Sequence, residues 1–373
     1  MKKSYTACLT DGTLNLKFLE TSTATSVTTE ADASEKSVYV SSVTLQKQAV
    51  RPAGEKPTVF IASDSTVQSY DSYYYPQTGW GQVLYKFFAG SENTQEESCA
   101  DCNYSQAKTY ETDSAIIENR AIGGRSSKSF VEEGKLDDLL EDVKTGDYVL
   151  VQWGHNDATY VRPNRYVGTD EFADWIQKYI DGVKQRGGTP ILVTPVARYS
   201  YNADGTFNIS FNEYRQIMLQ MGAEQNVPVL DLGKESSALC EQFGIEGSKS
   251  LFLQLAAGDY PDGAYAGGAS DATHLQYYGA YKFAQIVANL IKEDPTGQLS
   301  ALSAAIPEME IPDQLPAQPQ GLKATSVGAS SVSISWDTAD DSELYYIYRQ
   351  EMQSGQTAAD AVSYTHLTLP TNR

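Results

Sequence analysis

Between residues 58 and 291, short runs rich in β-branched and aromatic residues alternate with longer segments of helical period. Such alternation predicts a parallel sheet covered by helices on both faces. The candidate strands are Thr58 to Ala62, Ala115 to Asn119, Tyr148 to Trp153, Pro190 to Thr194 and Val227 to Leu230. Between the third and fourth, Phe172, Ile176, Tyr179, Ile180 and Val183 recur at helical spacing, and Gly187-Gly188 closes that segment. A last helix is expected over Tyr277 to Ile291. The reading is therefore α/β: a three-layer α/β/α domain with a parallel five-stranded sheet over residues 56–294.

Bulk properties narrow the partners. The chain has 373 residues, more than one typical domain, with 41% hydrophobic and 20% charged residues, the balance of a globular protein. No run of about 18 apolar residues is present, which argues against membrane insertion. A net charge of −20 repels nucleic acid and anionic membrane alike. Cys8, Cys99, Cys102 and Cys240 are too few for a disulfide scaffold and lack the paired spacing of a zinc site. Cys99 and Cys102 form one CxxC, open to a local disulfide, half a metal site or no role; without a second pair, no role is favoured.

Four separated blocks carry residue types that fit the parts of one acyl-transfer site. Ser63-Asp64-Ser65-Thr66 follows the first strand, where a serine at a strand-to-helix junction is exposed at the sheet's carboxyl edge. Asn119-Arg120-Ala121-Ile122-Gly123-Gly124-Arg125-Ser126 follows the second, and its paired glycines allow a backbone N–H to approach a ligand closely, making Gly124 a candidate oxyanion donor beside the Ser65 N–H. Gly154-His155-Asn156-Asp157 follows the third, where the Asn156 amide is a neutral donor that can be aimed at a developing oxyanion. Asp271-Ala272-Thr273-His274 precedes the last helix, and a spacing of three lets the carboxylate hold one ring nitrogen while the other faces a serine. Each block alone is weak, since SDS is common, GG marks turns and a lone DxxH is more often a surface turn. Their order and their placement after strands make coincidence improbable. Of the three histidines, His274 is the expected base, and His155 packs or orients the Asn156 loop.

These blocks resemble those of the SGNH/GDSL hydrolases, and the surrounding sequence resembles the rhamnogalacturonan acetylesterases: Gly79-Trp80-Gly81, Ser126 to Phe130, Gly146-Asp147-Tyr148 and Tyr278-Gly279-Ala280. The resemblance covers residues 57–291 in order and implies a flavodoxin-like α/β/α sheet, a Ser65–His274–Asp271 triad, a metal-independent acyl-enzyme mechanism without cofactor, and an acetylated polysaccharide as substrate. Two departures stand out. Ser63 occupies a position where the family often has glycine, and residues 92–113 make a long connection, read as a lid, a substrate wall or, with preference, a disordered insertion. Candidate substrate contacts are Tyr74, Trp80, Arg125, His155 and Arg162, with Arg165 and Arg198 also following strand ends. Alternatives are an esterase or thioesterase on lipid or small esters, an acetylxylan esterase, and a non-catalytic descendant that binds without turnover.

The flanks read differently. Residues 1–50 hold two short strands, Leu14 to Phe18 and Ser37 to Leu45, and the phrase Asp11 to Leu16 resembles the end of a jelly-roll, carbohydrate-binding-like module. Residues 295–316 read as a Pro/Gln linker, and 317–361 resemble a truncated fibronectin type III domain, carried by Leu322, Ala324, Val332, Ile334, Trp336, Tyr346 and Tyr348. Residues 362–373 resemble a translated adapter sequence and are read as non-native, so His366 has no role. The flanks imply an extracellular enzyme, although the basic start Met1 to Lys3 is not followed by an apolar stretch that would complete an export signal. No oligomeric state is assigned.

Overall fold

The computed structural model describes residues 54–100, 102, 104–308, 321–327 and 332–337. The expected strands and remnant module of residues 1–50, the strand at Tyr346 and Tyr348, and the 362–373 tail lie outside the described residues.

The strands are β1 (Thr58–Ala62), β2 (Glu96–Ser98), β3 (Lys108–Glu111), β4 (Ile116–Asn119), β5 (Tyr148–Gln152), β6 (Thr189–Val193) and β7 (Val229–Leu230). They form one seven-stranded sheet of order β2-β3-β4-β1-β5-β6-β7. The five expected strands are mutually parallel, with β1 between β4 and β5. Because the chain runs from β1 out to β4 and then back to β5 on the other side of β1, the carboxyl edge opens a crevice there, the usual place for a ligand in such sheets.

Both faces are covered, so successive residues of a strand are buried in opposite directions. Phe60, Ala62, Val149, Val151 and Leu192 pack with α2 (Ser127–Glu132), α3 (Lys135–Asp142), α4 (Thr169–Lys184) and α5 (Asn212–Gln225) through Phe130, Leu139, Phe172, Tyr179 and Met218. Val59, Ile61, Leu150 and Ile191 alternate with them and are also buried. The remaining helices are α1 (Trp80–Val83), α6 (Leu232–Ser248), α7 (Tyr277–Lys292) and α8 (Ser300–Ala304), and α7 contacts each of the other three. A hairpin of β8 (Phe252–Leu255) and β9 (Ala269–Leu275) stands apart from the main sheet. No helix among the described residues is long and apolar enough to cross a membrane.

Three expectations are corrected. The described residues of the 92–113 connection carry two strands: β3 pairs antiparallel with β4 and β2 antiparallel with β3, and Tyr110 is buried against Tyr85 with its hydroxyl on Glu96 and Ser69. Cys99 and Cys102, read as without a role, form a disulfide between those strands. The segment after Pro295 is not a linker from its first residue. Leu299, Leu302 and Ile306 are buried, the Ala305 carbonyl accepts from the Ala89 N–H at 3.0 Å, and the folded unit continues to Pro307. A separate unit begins at Glu308, of which β10 (Lys323–Val327) and β11 (Val332–Ser335) are described as an antiparallel pair. Two strands do not define a sandwich, so the fibronectin-like expectation gains no support.

Leu302 is fully buried. Leu302→Ala is therefore expected to remove about 2–4 kcal/mol of stability, read as a lower urea midpoint. An unchanged midpoint would return residues 295–307 to the status of a linker.

Candidate active site

The site is built outward from the end of β1. Val67 and Gln68 donate their N–H groups to the Asp64 carbonyl at 3.2 and 3.1 Å, so Ser65 sits in a single tight turn and not at the start of a helix, as the sequence suggested. Asp64 Oδ1 accepts from the Thr66 N–H and Oγ1, both at 2.9 Å, which fixes the turn from inside. Tyr70 donates its hydroxyl to the Ser65 carbonyl at 2.7 Å. Burial, helped by Asp64, pushes the Tyr70 pKa well up, so that hydroxyl keeps its proton.

Ser63, the departure from the family glycine, is fully buried and donates to the Gln152 carbonyl at 2.8 Å, tying the end of β1 to the end of β5. Gln152 accepts from Trp80 Nε1 at 3.0 Å and donates to Thr66 Oγ1 at 2.9 Å. Trp80 is thus a buried support and not a substrate contact. Its neighbours explain why: a Cβ on Gly79 would meet Val67 and Gln68 backbone at 2.2–2.5 Å, and one on Gly81 would meet Val67 and Asn119 at 2.6–2.9 Å, so Gly79-Trp80-Gly81 packs directly under the nucleophile turn.

The glycine block forms a turn in which Arg125 N–H reaches the Ile122 carbonyl at 3.3 Å and Gly124 takes φ +78°, a conformation that favours glycine. Gln68 Oε1 accepts the Gly123 N–H at 2.6 Å. The Gly124 N–H and the Ser65 N–H have no acceptor among the described residues. A Cβ on Gly123 would lie 3.4 Å from the Ser65 Cβ, which places this turn against the serine.

Asn156 donates its amide to the Arg125 carbonyl at 2.7 Å, joining the third block to the second and leaving one amide hydrogen for another acceptor. Asp157 holds this loop: its carboxylate accepts from the Ser127 N–H and Gly154 N–H, each at 3.0 Å, and from the Ser127 hydroxyl. Burial raises the Asp157 carboxyl to about 7, against those hydrogen bonds and with Asp64 adding to the rise.

Asp271 and His274 lie on β9, before α7 begins at Tyr277. Asp271 Oδ2 is 2.7 Å from His274 Nδ1, while Oδ1 accepts the N–H of Thr273 at 2.7 Å and of His274 at 3.0 Å. Burial works to raise the Asp271 pKa, but the bonds and charge of His274 and the two backbone donors win, leaving its carboxyl far below the usual range. The strand is stapled to the nucleophile side: Thr78 N–H donates to the Leu275 carbonyl at 3.1 Å, and Gln77 pairs with Gln276.

His155 joins the two sides. Its ring is buried and tilted at 58° against Phe211, centroids 4.6 Å apart, with Nδ1 3.7 Å from Asp64 Oδ2 and neither nitrogen within hydrogen-bond geometry. Burial lowers its pKa, Asp64 opposes this, and Arg198 and His274 lower it further. An imidazole so enclosed is a wall support and not the substrate contact expected from sequence. Of the other expected contacts, Arg125 is half-buried, bonded to Glu133 and the Gly123 carbonyl at 3.0 Å each, so it braces the glycine turn. Tyr74 and Arg162 are exposed, and Tyr74 packs edge-on against Tyr70. Among the described residues the one group suited to a metal is Cys99, Cys102 and Glu118, whose sulfurs are bonded to each other. Sequence reasoning missed Gln68, Tyr70 and Phe211. The first two carry no signal beyond nearness to Ser65, and Phe211 is marked only by its structure, at φ 57°.

A hydroxyl at a strand end, an imidazole with a carboxylate partner, and N–H donors without acceptors are the components of acyl transfer through serine. On this three-layer sheet they define a carboxylic ester hydrolase. The chain belongs to the GDSL-like lipase/acylhydrolase family, whose sequence profile matches residues 67–279, starting just after Ser65 and including Asp271 and His274. Two relatives come from Bacillus subtilis (strain 168). Rhamnogalacturonan acetylesterase RhgT is 32% identical over 235 residues, 63% of this chain and 89% of the relative. Probable rhamnogalacturonan acetylesterase YesY is 36% identical over 237 residues, 63% of this chain and 92% of the relative. The crystal structure of protein YxiM from Bacillus subtilis superposes with a TM-score of 0.50 at 24% identity, covering 64% of this chain and 57% of that one, a likeness of fold.

Asp157 generates a pH prediction. Its folded pKa of about 7 exceeds its ordinary value of 3.8, so the folded state binds the extra proton. This group's contribution to stability is fullest below pH 3.8 and is lost as the pH rises towards 7. In Asp157→Asn, the slope of unfolding free energy against pH between 5 and 7 should become more positive than in the parent, by up to about 1.4 kcal/mol per pH unit. Urea unfolding at several pH values measures it; parallel profiles for the two proteins would refute the assignment.

Proposed function

We propose that the protein removes O-acetyl groups from a plant cell-wall polysaccharide, with rhamnogalacturonan as the polymer, through an acetyl-enzyme on Ser65. The observation that carries this reading is the Asp271–His274 pair at 2.7 Å, its carboxylate locked by backbone donors and its strand tied to the serine turn. Asp271 holds the Nδ1–H of His274, which leaves Nε2 as the base. Ser65 Oγ attacks the acetyl carbonyl and His274 takes its proton. The oxyanion is met by the N–H groups of Ser65 and Gly124 and by the Asn156 amide. Collapse breaks the ester C–O bond, and His274 returns the proton to the departing sugar hydroxyl. Water then attacks the acetyl-enzyme with the same base, releasing acetate and restoring Ser65.

The polymer is supported by the relatives' names and by the exposed tyrosines Tyr73, Tyr74 and Tyr75 beyond the serine turn, whose rings offer faces to sugars. We also propose an extracellular location, because such a polymer is met outside the cell and the Cys99–Cys102 disulfide suits an oxidising compartment.

Acetate release by the full chain from acetylated rhamnogalacturonan, acetylated xylan and an aryl acetate tests the reading. Ser65→Ala should lower turnover on all three by about 10⁴-fold or more, with the folded state intact by circular dichroism. Asn156→Ala should cost about 10²–10³-fold in kcat. Turnover that survives in Ser65→Ala would overturn the mechanism, and faster release from xylan than from rhamnogalacturonan would overturn the polymer.

A further inference from the structure

Beyond β6 the chain makes a small excursion over the carboxyl edge before entering α5. Asn202 N–H reaches the Thr206 carbonyl at 2.8 Å, Tyr201 pairs with Phe207, and Asn208 N–H reaches the Ser200 carbonyl at 2.9 Å. This hairpin and β9 enclose a groove of about 330 Å³ whose lining includes Arg198, Tyr199, Asn208, Ile209, Phe211 and Ala272. Ala272 lies between Asp271 and His274, and its carbonyl accepts the Tyr199 N–H at 2.8 Å. The groove is therefore fixed to the strand that carries the base.

Two features of the lining point to a ligand. Arg198 is exposed and has no acidic side chain within ion-pair distance and no hydrogen bond among the described residues. Of the other arginines that follow strand ends, Arg120 is committed to Glu118, Asp138 and Asp142 and Arg125 to Glu133, Arg165 reaches the Gly124 carbonyl at 3.4 Å, and Arg162, exposed and without an ion pair among the described residues, lies outside this lining. Phe211, a bulky residue, is held at φ 57° and ψ 30°, a left-handed conformation that costs about 1–2 kcal/mol. Its ring packs on the buried His155, and Ile209 stands exposed on the same lining. Apolar side chains and an unpaired guanidinium on one lining suit a sugar ring that carries a carboxylate, which the planar fork of arginine can bind through two hydrogen bonds.

We propose that this groove is a subsite for a uronic-acid unit of the substrate chain, with Arg198 pairing its carboxylate and Phe211 and Ile209 lining the ring. The proposal rests on the reading of the adjoining Ser65, Asp271 and His274 as the reacting centre, and it makes Arg198 the residue that separates acidic from neutral acetylated polymers.

Binding tests it apart from turnover. The full-chain Ser65→Ala protein, with Arg198 intact and with Arg198→Gln or Arg198→Lys added, is titrated calorimetrically with deacetylated rhamnogalacturonan oligosaccharide and with neutral xylo-oligosaccharide. Arg198→Gln should weaken binding of the acidic oligosaccharide by about ten-fold or more, and Arg198→Lys should recover part of that loss by keeping the charge without the fork. Binding of the neutral oligosaccharide should fall by a smaller factor. Equal affinity for the acidic oligosaccharide with and without Arg198, or equal loss for both oligosaccharides, would overturn the subsite. Because the oligosaccharides carry no acetyl ester, binding here does not depend on turnover, and a failed acyl-enzyme mechanism would show in acetate release and not in this titration.

Discussion

The geometry of the site depends on one buried amide. Gln152, at the carboxyl end of β5, is fully buried, and its side chain bonds Trp80 and Thr66 while its carbonyl accepts from Ser63. Each such bond contributes about 1 kcal/mol net, but breaking one strands a buried group at about 1–3 kcal/mol. The arrangement is therefore close to all-or-none. It fixes Thr66, and through Thr66 the Asp64 carboxylate, on either side of Ser65. The Ser63 hydroxyl adds a strut to the same network.

On that base the remaining parts are placed by shared partners. Gln68 occupies the Gly123 N–H and leaves that of Gly124, Arg125 offers its carbonyl to Asn156, and Asp157 joins the Asn156 loop to the start of α2. The Asp271–His274 pair comes from elsewhere in the fold, on a hairpin outside the main sheet, and is fastened by backbone bonds from Thr78 and Tyr199. The nucleophile side is thus set by a dry polar interior, and the base side by strand ties that remain partly open to solvent.

Much of this was legible in the residues, for physical reasons that also mark where legibility ends. β1, β5 and β6 are buried along almost their whole length, so their apolar runs stand out, and β4 and β7 are marked by the shorter runs Ile116-Ile117 and Val229-Leu230. The edge strand β2 and its neighbour β3 carry Glu96, Glu97, Ser98, Lys108 and Glu111, with Tyr110 as the one buried side chain, and such a pattern resembles a loop. Asp271 and His274 were readable because their pairing is local. Trp80 was misjudged because an aromatic near a nucleophile fits a sugar platform or a core equally, and only the close approach forced by Gly79 and Gly81 separates the two. The role of residues 299–306 depends on contacts with Ala89 and Ser114, far away in sequence, which no local pattern announces.

The net charge of −20 set against the acidic polymer proposed as substrate looks contradictory only if charge acts at long range. At physiological ionic strength, exposed charges are largely screened beyond about 8 Å, so the total governs the rate of encounter more than the strength of contact. What matters in the groove is which cations are already spent. Arg120 is shared among three carboxylates beside β4, and Arg215 closes on Asp231 near β7. Arg198, among the described residues, is left without such a partner in the groove beside the Asp271–His274 strand. On the proposed reading, an acidic overall charge slows the approach of polyanions in general, while the unspent guanidinium of Arg198 gives a uronic-acid chain a local partner beside the strand of Asp271 and His274.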